Sequence, residues 1–347
     1  MISASIPELE GWLEDTARLG GTDLLLLSGE PPTVRIAGRI QRLDADPLTA
    51  TDTERIAAAA LGSDRLAQLG PHAGVIYVTL RLSESTQATL CIARSDGRIT
   101  LRARPAHSFV FEPRRIRVPE QVIQAVEAPG GGLVLVTGLP GSGKTTTCYS
   151  LLEHLNATQD IHMALLEYHA EYMFEPKRAL IQRRNVGLDA PDMQSAIHSA
   201  LVQDVDVLFI GELRDPESLA SCLLAPEHGR RVITQLHQPA PESAIRRIVE
   251  LQPDESAAAF RRLLARHLRA VLAQVILPRA DGPGRVPAYG LLLPDDAMRE
   301  AIVEGHDVLD GSRPLPEGCR TLAEDVAHLR DEGIITPEAA RVALSTG

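Results

Sequence analysis

Apolar residues recur along this chain in two rhythms. Short β-branched or leucine-rich runs closed by Gly, Pro or polar clusters mark strands, and i, i+3, i+4 spacing marks helices. The pattern opens with an amphipathic helix near 7–19, then strand-like runs at 23–27, 33–36, 74–80, 89–92 and 98–102. Gly29-Glu-Pro-Pro32 and Ala37-Gly38 punctuate them as turns. Residues 1–105 thus read as a small α+β domain without evident chemistry. Residues 106–119, with Pro113 and Arg114-Arg-Ile-Arg117, read as a linker. From 120 to 294, strand candidates (133–137, 163–166, 179–182, 205–210, 232–236, 288–293) alternate with helix candidates (192–202, 216–224, 241–251, 256–273). Such alternation predicts a parallel α/β domain. The remainder, 295–347, reads as short helices broken by Gly305, Gly311, Pro314 and Gly333.

Lysine usage sharpens this picture. The chain has two lysines, Lys144 and Lys177, against 33 arginines. Lys144 lies in Gly138-Leu-Pro-Gly-Ser-Gly-Lys144-Thr145, a full match to the phosphate-loop pattern GxxxxGK[ST]. A compact ammonium reaches between phosphates where a wider planar guanidinium is no substitute. The pattern carries weight only between a buried strand and a helix. Here 133–137 is apolar and β-branched, and 146–155 has helical spacing without Gly or Pro. A nucleotide bound with Mg²⁺ is therefore expected at Gly138, Pro140, Gly141, Ser142, Gly143, Lys144, Thr145 and Thr146, with the Thr145 hydroxyl facing the metal.

Three further residues close apolar strands, where a parallel sheet faces its ligand. Glu212, in Gly211-Glu-Leu-Arg-Asp215 after the run 205–210, has the placement of a Walker B acid that holds Mg²⁺. Glu167 follows 163–166. If that strand neighbours the phosphate loop, its carboxylate is placed to deprotonate an attacking water. His237 follows 232–236, where an imidazole can sense the γ-phosphate. Each has a plainer alternative: a polar turn, a solvated glutamate, a structural histidine.

Composition excludes several classes. Apolar residues make up 44% and charged residues 23%, as in soluble globular chains. No run approaches a membrane span, and the acidic start lacks the basic flank of a signal peptide, so the cytoplasm is expected. The four cysteines form no CxxC pair and no zinc site. A net charge of −11 with 3% aromatics argues against a nucleic-acid surface. The paired arginines are dispersed and read mostly as solvated faces or subunit contacts.

In this order the elements resemble the type IV pilus retraction ATPases, within the broader family of secretion-motor ATPases. The likeness begins at Gly21-Thr-Asp-Leu24 and Gly29-Glu-Pro-Pro-Thr-Val-Arg35 in a PAS-like amino-terminal domain. It runs through Gly131 to Gly138, the phosphate loop, an Asp box at Glu167 to Glu171, Walker B at Gly211 to Asp215, Pro226-Glu-His-Gly229 and a His box at Leu236-His237. It ends at Gly318-Cys-Arg-Thr-Leu322 and Gly333 to Ala339.

The resemblance implies a RecA-like P-loop ATPase core, a PAS-like first domain, a helical carboxy-terminal region and a hexameric ring, homomeric or mixed with a related ATPase. It implies that Glu167 polarises the water, Glu212 serves the metal, His237 lies by the γ-phosphate and an arginine of the first domain, best matched by Arg102, completes the site. It further implies a motor for pilus retraction, or an accessory to it, that acts on an inner-membrane platform protein from the cytoplasmic side. The departures cluster at the chemistry. The Asp box reads Glu167-Tyr-His-Ala-Glu171 without its aspartate and proline, and the His box reads Gln235-Leu-His-Gln238 without its threonines. Two arginines expected near Thr89 and Cys91 are missing. These losses spare ground-state binding more than turnover, so an ATP-binding regulator of a pilus or type II secretion ring is the alternative, and a RecA-like nucleic-acid motor a weaker one.

Overall fold

The computed structural model describes every residue except 1, 4, 37, 68, 70–73, 84, 85, 106–109, 283, 309–313, 346 and 347. The turn residue Ala37, positions 106–109 of the expected linker and the helix breaker Gly311 lie outside the described residues. Contacts divide the chain into two units. The first joins Met1–Phe109 to Glu167–Glu175 and Asn185–Pro191. The second holds Val110–Leu166, Pro176–Arg184 and Asp192–Gly347.

The first unit contains β1 (Ile2–Ser3), α1 (Pro7–Arg18), β2 (Asp23–Leu26), β3 (Thr33–Ile36), β4 (Arg39–Arg42), α2 (Ala50–Leu61), α3 (Ser63–Ala67), β5 (Ile76–Arg81), β6 (Gln87–Ser95) and β7 (Arg98–Pro105). The strands form one sheet in the order β1-β5-β6-β7-β2-β3-β4, antiparallel except for the β1–β5 pair. Pro7 starts α1 where no amide donor is needed, and Leu9, Leu13 and Thr16 recur on one buried face. The sequence pattern missed α2. Its start is fixed by a capping box in which Thr49 and Asp52 satisfy each other's backbone amides, and its Ile56, Ala57 and Ala60 enter the core with Leu24, Leu80, Leu90 and Ile92.

The second unit contains α4 (Glu120–Glu127), β8 (Gly132–Thr137), α5 (Lys144–Thr158), β9 (His162–Glu167), β10 (Leu180–Asn185), α6 (Met193–Val202), β11 (Val207–Ile210), α7 (Pro216–Leu224), β12 (Arg231–Leu236), α8 (Pro241–Glu250), α9 (Asp254–His267), β13 (Leu268–Pro278), β14 (Arg285–Leu292), α10 (Asp296–Glu304), α11 (Leu322–Asp331) and α12 (Pro337–Ser345). Its sheet runs β10-β9-β11-β12-β8-β13-β14. Strands β9, β11, β12, β8 and β13 pair in parallel, and β14 returns antiparallel to β13.

Two expectations need correcting here. The helix expected over 256–273 stops at His267, and Leu268–Pro278 is a strand pairing with β8. The alanine- and leucine-rich run crosses that boundary with no Gly or Pro, and a strand buried on both faces reads as a continuous apolar stretch. The strand expected at 288–293 exists as β14, but on the antiparallel edge.

Not every arginine of a pair is a solvated face. Arg231 is buried and donates to the carbonyls of Val126 and Glu127 and to Gln159. Arg269, which is not one of the paired arginines, donates to the carbonyls of Ala125, Ala128 and Gly130. Both guanidinium groups thus satisfy acceptors left over where α4 ends.

The carboxy-terminal helices are built into the second unit. α11 packs on β14 and α12 on β13. Asp325 of α11 is buried, accepts the Tyr289 amide of β14 at 2.8 Å and pairs with Arg320 at 2.8 Å. A buried carboxylate needs such partners.

Candidate nucleotide site

β8 is buried along its whole length, and the loop that leaves it at Gly138 ends at Gly143, the left-handed cap of α5. Gly143 has φ 84°, a left-handed backbone that favours glycine, and a Cβ there would lie 2.5 Å from Ile276 Cδ1 and 2.8 Å from Gln274 Nε2. Lys144, the first residue of α5, is 4% exposed, and its Nζ donates to the Leu139 carbonyl at 3.0 Å. The Ser142 hydroxyl is buried with no hydrogen-bond partner among the described residues. An orphaned hydroxyl, an ammonium and the amides of a helix amino terminus make an anion cradle. Pro140, Gly141 and Thr146 lie in the same loop and first helical turn.

Gln274, in the middle of β13, braces this loop from beneath. Its Nε2 donates to the Ser142 carbonyl at 2.7 Å, and its Oε1 accepts from Thr147 Oγ1 at 2.7 Å. Thr137, the last residue of β8, donates to the Gln238 carbonyl at 2.6 Å and accepts from the Gln238 amide at 3.2 Å. That stitch sets His237 beside the loop. Thr145 Oγ1 donates to Gln235 Oε1 at 3.3 Å.

Glu212 lies just beyond β11, whose four residues are all buried. Its Oε2 accepts from Arg214 Nε at 2.9 Å and Nη2 at 2.7 Å, and its Oε1 lies 3.8 Å from His237 Nε2. Asp215 is committed elsewhere, as the cap of α7, where it accepts from the Ser218 amide and hydroxyl. His237 is held less basic than an ordinary imidazole, first by burial and then by the Lys144 ammonium, with Glu212 pulling the other way. The second unit thus brings together Lys144, Thr145, Glu212 and His237.

Glu167, the last residue of β9, clusters with the first unit, where Arg102 also lies. Glu167 is buried at the end of β9. That strand lies beside β11, with β11 and β12 between it and β8, so the neighbours of the phosphate-loop strand are β12 and β13. The residues after Glu167 are tied to the first sheet. Thr89 Oγ1 donates to the Ala170 carbonyl at 2.5 Å, the His169 ring stacks on Tyr77 at 5.3 Å, and Glu171 lies 3.8 Å from Arg104. Strand register sets Arg102 opposite Cys91 and Arg104 opposite Thr89, so guanidinium groups stand directly across from the two positions that lack them. Arg104 is bound to Asp23 at 3.0 Å, while Arg102 is half-exposed with Asp23 at 3.9 Å.

Sequence reasoning missed Gln235, Gln274 and Thr137. The signal for Gln274 was a lone amide inside an apolar run, which a buried strand must satisfy by hydrogen bonds.

A parallel sheet whose β8 strand feeds the GxxxxGK[ST] loop into α5 is the architecture of a RecA-like P-loop ATPase, and the loop is its nucleotide-binding element. The chain belongs to the type II/IV secretion system protein family, whose profile matches residues 76–330. It is similar to the twitching motility protein of Neisseria gonorrhoeae, 34% identical over 67% of this chain and 63% of that protein. It is also similar to the type IV pilus retraction ATPase PilT of Pseudomonas aeruginosa, 28% identical over 94% of this chain and 95% of that protein. Among solved structures, the crystal structure of the pilus retraction motor PilT with bound ADP matches with a TM-score of 0.84 and 30% identity over 98% of this chain and 96% of that one. Among the described residues no helix is long and apolar enough to cross a membrane.

Proposed function

We propose that this chain hydrolyses ATP with Mg²⁺ as one subunit of a hexameric ring, homomeric or mixed with a related ATPase, and so powers or assists type IV pilus retraction. The ring acts on an inner-membrane platform protein from the cytoplasmic face. The observation that carries this reading is the cradle itself: a buried Lys144, an orphaned Ser142 hydroxyl and Thr145 at the start of α5. It sits in a chain that matches nearly all of the ADP-bound retraction motor.

In this reading Lys144 and the loop amides hold the β- and γ-phosphates. The donor set suits Mg²⁺, a hard cation usually held by one or two protein oxygens together with substrate phosphates. Thr145 and Glu212 would supply those oxygens. Among the described residues no cluster of three or more His, Cys, Asp or Glu offers a complete protein cage. A magnesium ion held there would neutralise charge that builds on the transferring phosphoryl group. On the family resemblance, and not on strand adjacency, Glu167 would take the proton of the attacking water and Arg102 would add positive charge.

A second reading, an ATP-binding subunit with slow turnover, is favoured by the two hydrogen bonds from Arg214 that neutralise Glu212. Steady-state ATP hydrolysis with Mg²⁺ decides between them. Under the motor reading, Glu167→Gln and Glu212→Gln each lower turnover by about 10²-fold or more. Equal, near-zero rates in wild type and both variants, with ATP still bound, favour the second reading. Absence of ATP binding defeats both.

His237 adds a pH signature. Above the ordinary imidazole range the ring is neutral in folded and unfolded chains alike and contributes nothing. As pH falls through that range the unfolded chain protonates first, and stability declines. A triphosphate placed beside the ring removes that resistance to protonation. Calorimetric ATP titration at about pH 6 in buffers of different ionisation enthalpy should therefore show proton uptake. His237→Gln should abolish it. Uptake that survives this substitution removes His237 from the phosphate's surroundings.

A further inference from the structure

The geometry points to Gln235 as the positioning residue for the Thr145 hydroxyl, fixing it as a ligand for the divalent cation that accompanies the nucleotide. This inference rests on the Mg²⁺–ATP reading of the loop.

Gln235 lies on β12 in register with Val136 of β8, the strand that feeds the loop. Its Nε2 donates to the Gly211 carbonyl at 2.7 Å. Because a carbonyl can only accept, the amide cannot turn over without facing oxygen to oxygen. Its Oε1 is thereby aimed at Thr145 Oγ1, 3.3 Å away. That oxygen also only accepts, so the Thr145 hydroxyl must spend its proton on Gln235 and present its lone pairs elsewhere. A cation ligand has to do just that. Without such an acceptor, a threonine in the first turn of a helix can rotate its hydroxyl to a nearby backbone carbonyl, and the proton then points wherever the rotor settles.

The same side chain joins two parts of the site. Gly211 immediately precedes Glu212, so one amide links the metal-facing hydroxyl of α5 to the backbone that carries the Walker B acid. Gln235 therefore acts through Thr145 and the 211–212 backbone, and its effect should appear in cation dependence.

The test is titration of the full chain with a fluorescent N-methylanthraniloyl-ATP, in EDTA and in excess Mg²⁺, for wild type, Gln235→Leu and Gln235→Glu. Wild type should bind more tightly with Mg²⁺. Gln235→Leu should keep its affinity in EDTA and lose about tenfold of the Mg²⁺-dependent gain, the worth of one hydrogen bond at a charged site. Gln235→Glu keeps an acceptor for Thr145 but turns its other oxygen toward the Gly211 carbonyl, so it should recover part of that gain and not all of it. A Gln235→Leu protein with the wild-type response to Mg²⁺ overturns the inference, as does one that loses affinity equally with and without the cation. Wild type that binds nucleotide with no Mg²⁺ response overturns the metal reading and this inference together. Should Gln235→Leu fail to fold, as its melting curve would report, Gln235→Met, which also offers Thr145 no carbonyl acceptor, takes its place in the same titration with the same two outcomes.

Discussion

Lys144→Ala will lower Mg²⁺-dependent ATP turnover by about 10²–10³-fold, the usual cost of removing one group that stabilises a transition-state oxyanion. The side chain is enclosed, 4% exposed, and begins α5, so its charge adds to the positive end of the helix. One of its partners, the Leu139 carbonyl at 3.0 Å, is a neutral acceptor inside the same loop. Phosphate oxygens are stronger acceptors for an ammonium, and the move between them needs only side-chain rotation. Lys144→Arg should fail nearly as badly, because a rigid guanidinium must be seated where a compact ammonium is enclosed. Both variants should also bind ATP more weakly, so a wild type with slow turnover still yields a readable result. Turnover and affinity close to wild type in Lys144→Ala would remove the loop from the chemistry altogether.

Local signals were legible in the chain where one stretch contains both the pattern and its cause. The phosphate loop, the strand before it and helices α6, α7 and α8 fall in this group. Each has its apolar face and its stop within a dozen residues. The start of β13 was hidden because Ala and Leu serve a buried strand and a helix equally well, and the helix was carried through Leu268. α2 was missed although Thr49 and Asp52 spell a capping box, a signal that composition alone passes over.

Non-local features were out of reach for a different reason. That Glu167–Glu175 clusters with the first unit depends on Thr89 meeting Ala170 and Tyr77 meeting His169. No periodicity encodes such pairs. The altered Asp box reads as a loss of catalytic residues, yet His169 and Ala170 have packing and hydrogen-bond partners on β5 and β6. The same holds in the second unit, where the altered His box supplies Gln235 to Thr145. A departure from a motif can therefore be a replacement contact as well as a lost one.

Gly138→Ala will cost about 3 kcal/mol of stability and nearly all nucleotide affinity, whereas Gly141→Ala will cost about 1 kcal/mol and leave the loop intact. Both glycines have positive φ, 148° and 80°. The difference lies in what surrounds them. A Cβ on Gly138 would stand 2.4 Å from the Gln274 carbonyl and 2.5 Å from Ser142 Oγ. The first of these belongs to the backbone of β13, which is paired along β8 and cannot retreat without breaking the ladder. The second is the orphaned hydroxyl of the cradle, so any shift that relieves the clash also misaims it. A Cβ on Gly141 meets nothing within 4 Å, and only the strain of a left-handed alanine remains. Thermal melting and N-methylanthraniloyl-ATP titration of the two variants separate these costs. Equal damage from both substitutions would mean that backbone conformation alone, and not the close approach of β13, determines how the loop is held.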